Sequence, residues 1–224
     1  SERRQAHARA AQWLQERAGE RSDEFLAITA QHHERAGEPG RAARCYERAA
    51  IQALNRCALQ AATAHFASAD AQWPLCTEPP PFEEQAFMLE TRINLCDTLA
   101  DRERQAQHLQ RLRELAQAHG SARWQATALT HASLLSDRLG RHEEAEALAR
   151  QASPLAQAAQ DARTIALCEG NLAWQTMSRG DLAAAQAHLH CATQAAELAR
   201  QRMERATDHL YEIQLCLVAA ELHT

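Results

Sequence analysis

Lysine is absent from the 224 residues: all 24 basic side chains are arginine. That excludes a lysine-dependent P-loop, a Schiff-base lysine and a pyridoxal-phosphate anchor within this chain. Valine and isoleucine together occur six times, and glycine plus proline 13 times. A sequence so poor in β-branched residues does not build sheets. No apolar run approaches the roughly 20 residues that span a bilayer, and no signal peptide is visible. The seven cysteines stand singly without a CxxC pair. An odd, scattered set fits small apolar fillers in a reducing compartment better than a disulfide framework, so the expected location is the cytoplasm. A formal charge of −5 gives no electrostatic reason to expect a nucleic-acid surface. What is abundant is alanine, 50 residues of the best helix former. The expected class is all-α. The chain opens without Met, in Ser1-Glu2-Arg3-Arg4 of helical composition, and reads as a piece of a longer polypeptide.

An internal repeat organises the second part of the sequence. Leu115-Ala116-Gln117-Ala118 followed by Ala122-Arg123 recurs as Leu155-Ala156-Gln157-Ala158 followed by Ala162-Arg163, an offset of 40 residues. The same offset carries Gly140 to Gly180, Ala145 to Ala185 and Ala152 to Ala192, and places Ala100 where Gly140 stands. Each unit reads as two antiparallel helices. Asp161 is the expected N-cap of a helix A over 162–179, Gly180 ends it, and Asp181 caps helix B. Helix B then carries Leu182, Ala185, Leu189 and Ala192 at 3,4,3 spacing as one apolar stripe. Pro154 either loosens the last turn of the preceding helix B or displaces its end.

A turn glycine, a small residue five positions on, an apolar one four further and Ala three beyond resemble the tetratricopeptide (TPR) repeat. Gly37, Ala42, Tyr46 and Ala49 carry this pattern, as do Gly180, Ala185, Leu189 and Ala192, and Gly140, Ala145, Ala149 and Ala152. The 40-residue period departs from the usual 34 of that repeat and implies longer helices. The resemblance implies a TPR-like α-solenoid of about eleven antiparallel helices in a right-handed superhelix. Helices are expected near 2–18, 23–36, 40–55, 58–72, 82–99, 101–119, 121–139, 141–158, 161–179, 181–200 and 202–222. Prolines 79–81 end any helix before 82. The expected organisation is therefore an N-terminal helical segment 1–73, a Pro-rich joint 74–81, and an array 82–224 with a truncated last repeat, joined as one continuous superhelix. The last helix, ending Leu215-Cys216-Leu217-Val218-Ala219-Ala220-Glu221-Leu222, is apolar on several sides and suggests self-association.

A second resemblance lies at the N-terminus. His7-Ala8-Arg9-Ala10-Ala11-Gln12-Trp13-Leu14, then Ala30-Gln31-His32-His33-Glu34-Arg35-Ala36-Gly37, then Ala42 to Ala50 and Ala61 to Ala69 resemble the segment after the nucleotide-binding and winged-helix modules of bacterial STAND-class signalling ATPases. Those proteins are often fused to adenylate/guanylate cyclase domains or to LuxR-type DNA-binding domains. The resemblance implies a sensor arm of a signal-transduction or transcription regulator that binds an effector or protein partner. None of that family's nucleotide-binding or cyclase residues lies in this chain, so no catalytic residue is carried over. It also implies that one of His32 and His33 packs in the core and the other is solvated.

Candidate sites are few. His188 and His190 point apart on a helix, and His188 with Cys191 makes only two ligands, so surface histidine and packed cysteine are expected and no metal. Arg102, Arg104, Arg111 and Arg113 interleave with Asp101, Glu103 and Glu114 as a self-neutralised face. A Cys–His nucleophile lacks a third orienting group and an oxyanion hole, so no enzyme and no cofactor are expected. In TPR arrays helix A lines the inner surface. That mapping offers Thr127, Thr130, Leu134, Asp137 and Arg138, then Leu167, Gly170, Trp174, Met177 and Ser178, with Phe87, Glu90, Asn94 and Asp97 from the earlier unit. Trp174 is either an apolar anchor beside Met177 or simply core. The expected function is non-catalytic: a sensor or interaction region that binds a protein, peptide or small effector in a concave groove, with no nucleic acid or membrane. The alternative is a passive self-association scaffold, a homodimer through the C-terminal helix.

Overall fold

The computed structural model describes residues 2–18 and 25–201. The expected helix over 202–222, its apolar end with Cys216 and Leu217, and the homodimer built on it lie outside the described residues. The same holds for the start of the helix expected at 23. Among the described residues the fold is all-α, without a strand.

Ten helices follow in order: α1 (Glu2–Ala18), α2 (Leu26–Ala36), α3 (Pro39–Asn55), α4 (Leu59–Gln72), α5 (Phe82–Thr98), α6 (Arg102–Ala118), α7 (Ala122–Arg138), α8 (His142–Ala159), α9 (Ala162–Ser178) and α10 (Leu182–Gln201). One 3₁₀ turn, Trp73–Leu75, follows α4. The chain divides into two compact units, Ser1–Pro81 and Phe82–Thr224.

In the first unit each helix packs on the next, α1 on α2, α2 on α3 and α3 on α4. Ala30, Ala42, Cys45, Tyr46 and Ala69 form its core. Small side chains let the helices approach, and Tyr46 fills the space left between them while its hydroxyl donates to Glu34 at 2.8 Å. Residues 73–75 are not free linker: the Trp73 indole N–H donates to buried Glu47 at 3.0 Å.

The second unit is three helix pairs, α5/α6, α7/α8 and α9/α10, whose first helices begin at 82, 122 and 162. The 40-residue step is thus a structural period. Its turns explain why. After α7, Gly140 N–H donates to Asp137 O and Arg141 N–H to Ser136 O; after α9, Gly180 donates to Met177 O and Asp181 to Thr176 O; after α5, Ala100 donates to Asp97 O and Asp101 to Cys96 O. These are three copies of one C-terminal motif that needs a left-handed residue. Gly140 and Gly180 supply it freely, and Ala100 is driven to φ +56°. The caps agree with expectation: Asp161 accepts from Thr164 N–H at 3.0 Å and Asp181 from Ala184 N–H at 3.1 Å. Pro154 sits inside α8, which continues to Ala159 before Gln160 turns left-handed at φ +50°.

Burial follows the same period. Residues 91–100, 131–140 and 171–180 carry an identical sequence of buried, half-buried and exposed positions. On the second helices, Ala145 and Ala185 are buried, as are Leu112, Ala152 and Ala192. Leu182 departs from the expected stripe: it opens α10 and is 58% exposed. The main core joins Ala86, Ile93, Leu109, Leu112, Trp124, Ala128 and Leu135.

Candidate functional site

The first helices α5, α7 and α9 stack side by side, and polar pairs set their register. Glu83 accepts from the Trp124 indole N–H at 2.8 Å, Glu90 pairs with His131 at 3.4 Å, and Asp97 with Arg138 at 3.8 Å. The three acids are spaced seven apart on one face of α5, and each meets the residue 41 positions on. From α7 to α9 the partners fall 37 or 38 positions on: Thr127 with Thr164, Thr130 with Cys168, Ser133 with Asn171, Asp137 with Trp174. Steps of 37 and 41 differ by about one helical turn, so α9 sits on α7 in a register shifted by one turn from that of α7 on α5.

Glu90 is the most enclosed of these acids. It is fully buried, takes Arg163 of α9 at 3.0 Å as well as His131 of α7, and so links three helices. Burial alone would raise its pKa; the Arg163 guanidinium, with His131, wins and holds it at about 2. Glu90 is therefore a charged structural centre rather than an open ligand contact.

Several expected groove residues are placed differently. Thr127 and Thr130 are fully buried between α7 and α9, and Leu167 is buried too. Parallel helices in close contact consume those positions, so neither threonine lines an open surface. What stays accessible is a strip at the C-terminal ends of the three helices: Asn94 and Asp97, Leu134, Asp137 and Arg138, then Trp174, Met177 and Ser178. Asp137 is its most engaged member. One carboxylate oxygen accepts the Trp174 indole N–H at 2.9 Å and the other lies 2.9 Å from His142 Nδ1. Asp97 holds Arg102 and Arg138. At the corresponding places on α9 and α10 stand Met177 and exposed Leu182. The strip is thus ionic over α5 and α7 and apolar over α9.

The remaining candidates resolve into structure. His188 Nδ1 lies 2.8 Å from buried Glu169, which also accepts from Ser153 at 3.1 Å. Serine, carboxylate and imidazole meet there with the carboxylate in the middle, so the imidazole takes no proton from the hydroxyl and no triad results. Cys191, expected to pack, is exposed, and Cys57 is exposed as well; Cys45, Cys96 and Cys168 are the buried thiols among the described residues. Cys168 is pushed up to about 12 by burial, which keeps it a thiol. Arg102 and Arg104 pair with Asp97 and Asp101. No group of three or more metal-ligating side chains occurs among the described residues. None of their helices is long and apolar enough to cross a membrane. His33 is buried and His32 half-buried.

The buried acid–donor ladder escaped the sequence reading. Its signal was present in Glu83, Glu90 and Asp97 at heptad spacing on a helix otherwise taken as groove lining.

The fold and the strip define an all-α protein built in its second unit from repeated helix pairs. No family model and no curated protein matches the chain. Among solved structures it is similar to BtubC (BKLC) from P. vanneervenii, with a TM-score of 0.55 and 14% sequence identity over 99% of this chain and 85% of that one. At such identity the likeness concerns the fold alone.

Proposed function

We propose that the chain is a non-catalytic sensor or protein-interaction region, a TPR-like solenoid of a cytoplasmic bacterial signalling regulator of the STAND class. A partner segment or effector binds along the strip at the ends of α5, α7 and α9, and its differential affinity for two arrangements shifts the output modules. One observation carries the binding role. The three helix ends share the same turn geometry and burial pattern, yet two of their accessible positions differ in every copy, Asn94, Leu134, Trp174 and Thr98, Arg138, Ser178, and a third carries Asp97 and Asp137 but Met177. A constant frame presenting variable side chains is how repeat proteins build binding faces. Trp174 and Met177 form the apolar anchor, with the indole held by Asp137. The regulatory role rests on the N-terminal resemblance.

The test uses the complete reading frame. It should encode an ATPase, cyclase or DNA-binding module, and Trp174→Ala with Met177→Ala should weaken effector-dependent output roughly tenfold or more while far-UV helicity is kept. A reading frame without such a module would end the regulatory proposal. Loss of a dimer together with all output on changing Leu217 to a charged residue would favour the self-association scaffold instead.

A further inference from the structure

We propose that α1 is a proton-released helix, held on α2 in part by an imidazole pair that tolerates only one positive charge. The pair is His7 on α1 and His32 on α2. Their Nδ1 atoms lie 2.9 Å apart, with ring centroids at 5.1 Å. A hydrogen bond between two imidazole nitrogens needs one ring to donate and the other to offer a lone pair, so at least one ring is neutral. When both are protonated the bond is lost, and two cations face each other across a half-buried contact.

α1 packs chiefly on α2. Its sequence is mostly charged and polar, and Ala11 is its one buried side chain among those whose burial is described. Trp13 is exposed. A second polar link joins Gln15 Nε2 to His33 Nε2 at 3.3 Å. With Ala11 the one fully buried side chain described on α1, polar links carry more of this contact than they would in a packed core, so losing one of them matters there.

The charged surroundings work the same way. On α2, His33 and Arg35 flank the pair. On α1, Arg4 stands one turn before His7, its guanidinium beside Gly37. Glu38, opening α3, is the carboxylate of this corner, but it is engaged by His33 at 2.7 Å and by Arg41 at 3.5 Å. Burial first, then the charges of His7, Arg35 and His33, hold His32 below its ordinary 6.5. A base with a lowered folded pKa stabilises the docked state fully above 6.5. That contribution is lost as the pH falls from 6.5 through the lower folded value.

Hydrogen exchange of the full chain, corrected for the intrinsic pH dependence of the amides, reads the release directly. Between pH 7.5 and 5.0 the protection of residues 2–18 should fall about tenfold or more, while residues 39–72 keep theirs. His7→Gln and His32→Gln replace the titrating rings by neutral amides and should flatten the profile. As a check that needs no variant, an NMR titration of the wild-type imidazoles should show the pair taking its second proton at the pH where α1 is released. The proposal is overturned by protection of 2–18 that does not change with pH, by its absence at pH 7.5, or by a loss shared with 39–72. Imidazoles both protonated on a still-protected α1, or glutamine variants that follow the wild-type curve, would overturn it as well.

Discussion

At the scale of single residues, two kinds of position bear stress that the sequence alone conceals. Ala100 and Gln160 adopt the left-handed conformation at φ +56° and +50°, where Gly120, Gly140 and Gly180 serve the equivalent turns. A β-carbon there costs about 1 kcal/mol, partly offset because alanine orders less entropy on folding than glycine. Ala100→Gly and Gln160→Gly should therefore each stabilise the fold by about 0.5 kcal/mol. The sign of that effect is read as a higher urea midpoint at unchanged m value. Glu90 is the opposite case, a buried charge satisfied by Arg163 and His131. Removing it takes the buried carboxylate from Arg163 and His131 and should cost about 3 kcal/mol in Glu90→Ala, the usual penalty for breaking a buried pair. The pH dependence follows from its folded pKa of about 2 against an ordinary 4.5. A depressed carboxylate stabilises the fold fully above 4.5 and loses that contribution as the pH falls from 4.5 through 2. Acid titration of stability should accordingly fall more steeply for the wild type than for Glu90→Gln across this window.

At the scale of elements, the register of α7 on α9 depends on side-chain pairs that cross between them, and Asp137 with Trp174 is the most accessible one. Trp174→Phe keeps a ring and deletes the N–H; Asp137→Ala deletes the acceptor. A double-mutant cycle in urea should return a coupling of about 1 kcal/mol. Additive effects would mean that ring packing alone sets the spacing. The helices themselves were legible because alanine-rich stripes, the N-caps Asp161 and Asp181 and the turn glycines are local signals that the fold does not override. Ten of the eleven expected helices have counterparts among the described residues, and, the start expected at 23 aside, their ends agree to within a few positions. The candidate site was less legible. Thr127 and Thr130 have the polarity of groove residues, but whether a small hydroxyl faces solvent or a neighbouring helix depends on how closely two helices 40 residues apart in sequence approach. The ladder of Glu83, Glu90 and Asp97 was missed for the same reason: its partners are distant in sequence, and charge on a helix face reads as solvation until the facing helix is placed. Cys191 was misplaced because a short alanine-rich stripe fits more than one helical phase.

At the scale of the whole molecule, the two compact units have separate cores, one around Tyr46 and Ala69 and one around Ile93, Leu112 and Trp124. Within the second unit the helices contact mainly their neighbours, and in such stacks stability is a sum of local terms rather than the property of one shared centre. Damage should then stay where it is made. Ile93 is fully buried in the second unit, and Ile93→Ala leaves a cavity that should cost about 3 kcal/mol. Hydrogen exchange in the full chain should show lost protection over 82–138, next to the cavity, with less change over α10. Protection over 39–72 should remain at its wild-type level, because the first unit's core holds none of the affected side chains. If 39–72 lost protection by the same free energy as 82–138, the chain would unfold as a single cooperative body. The proposed relay from a bound partner at the second unit would then travel by global stability rather than by local rearrangement of the stacked helices.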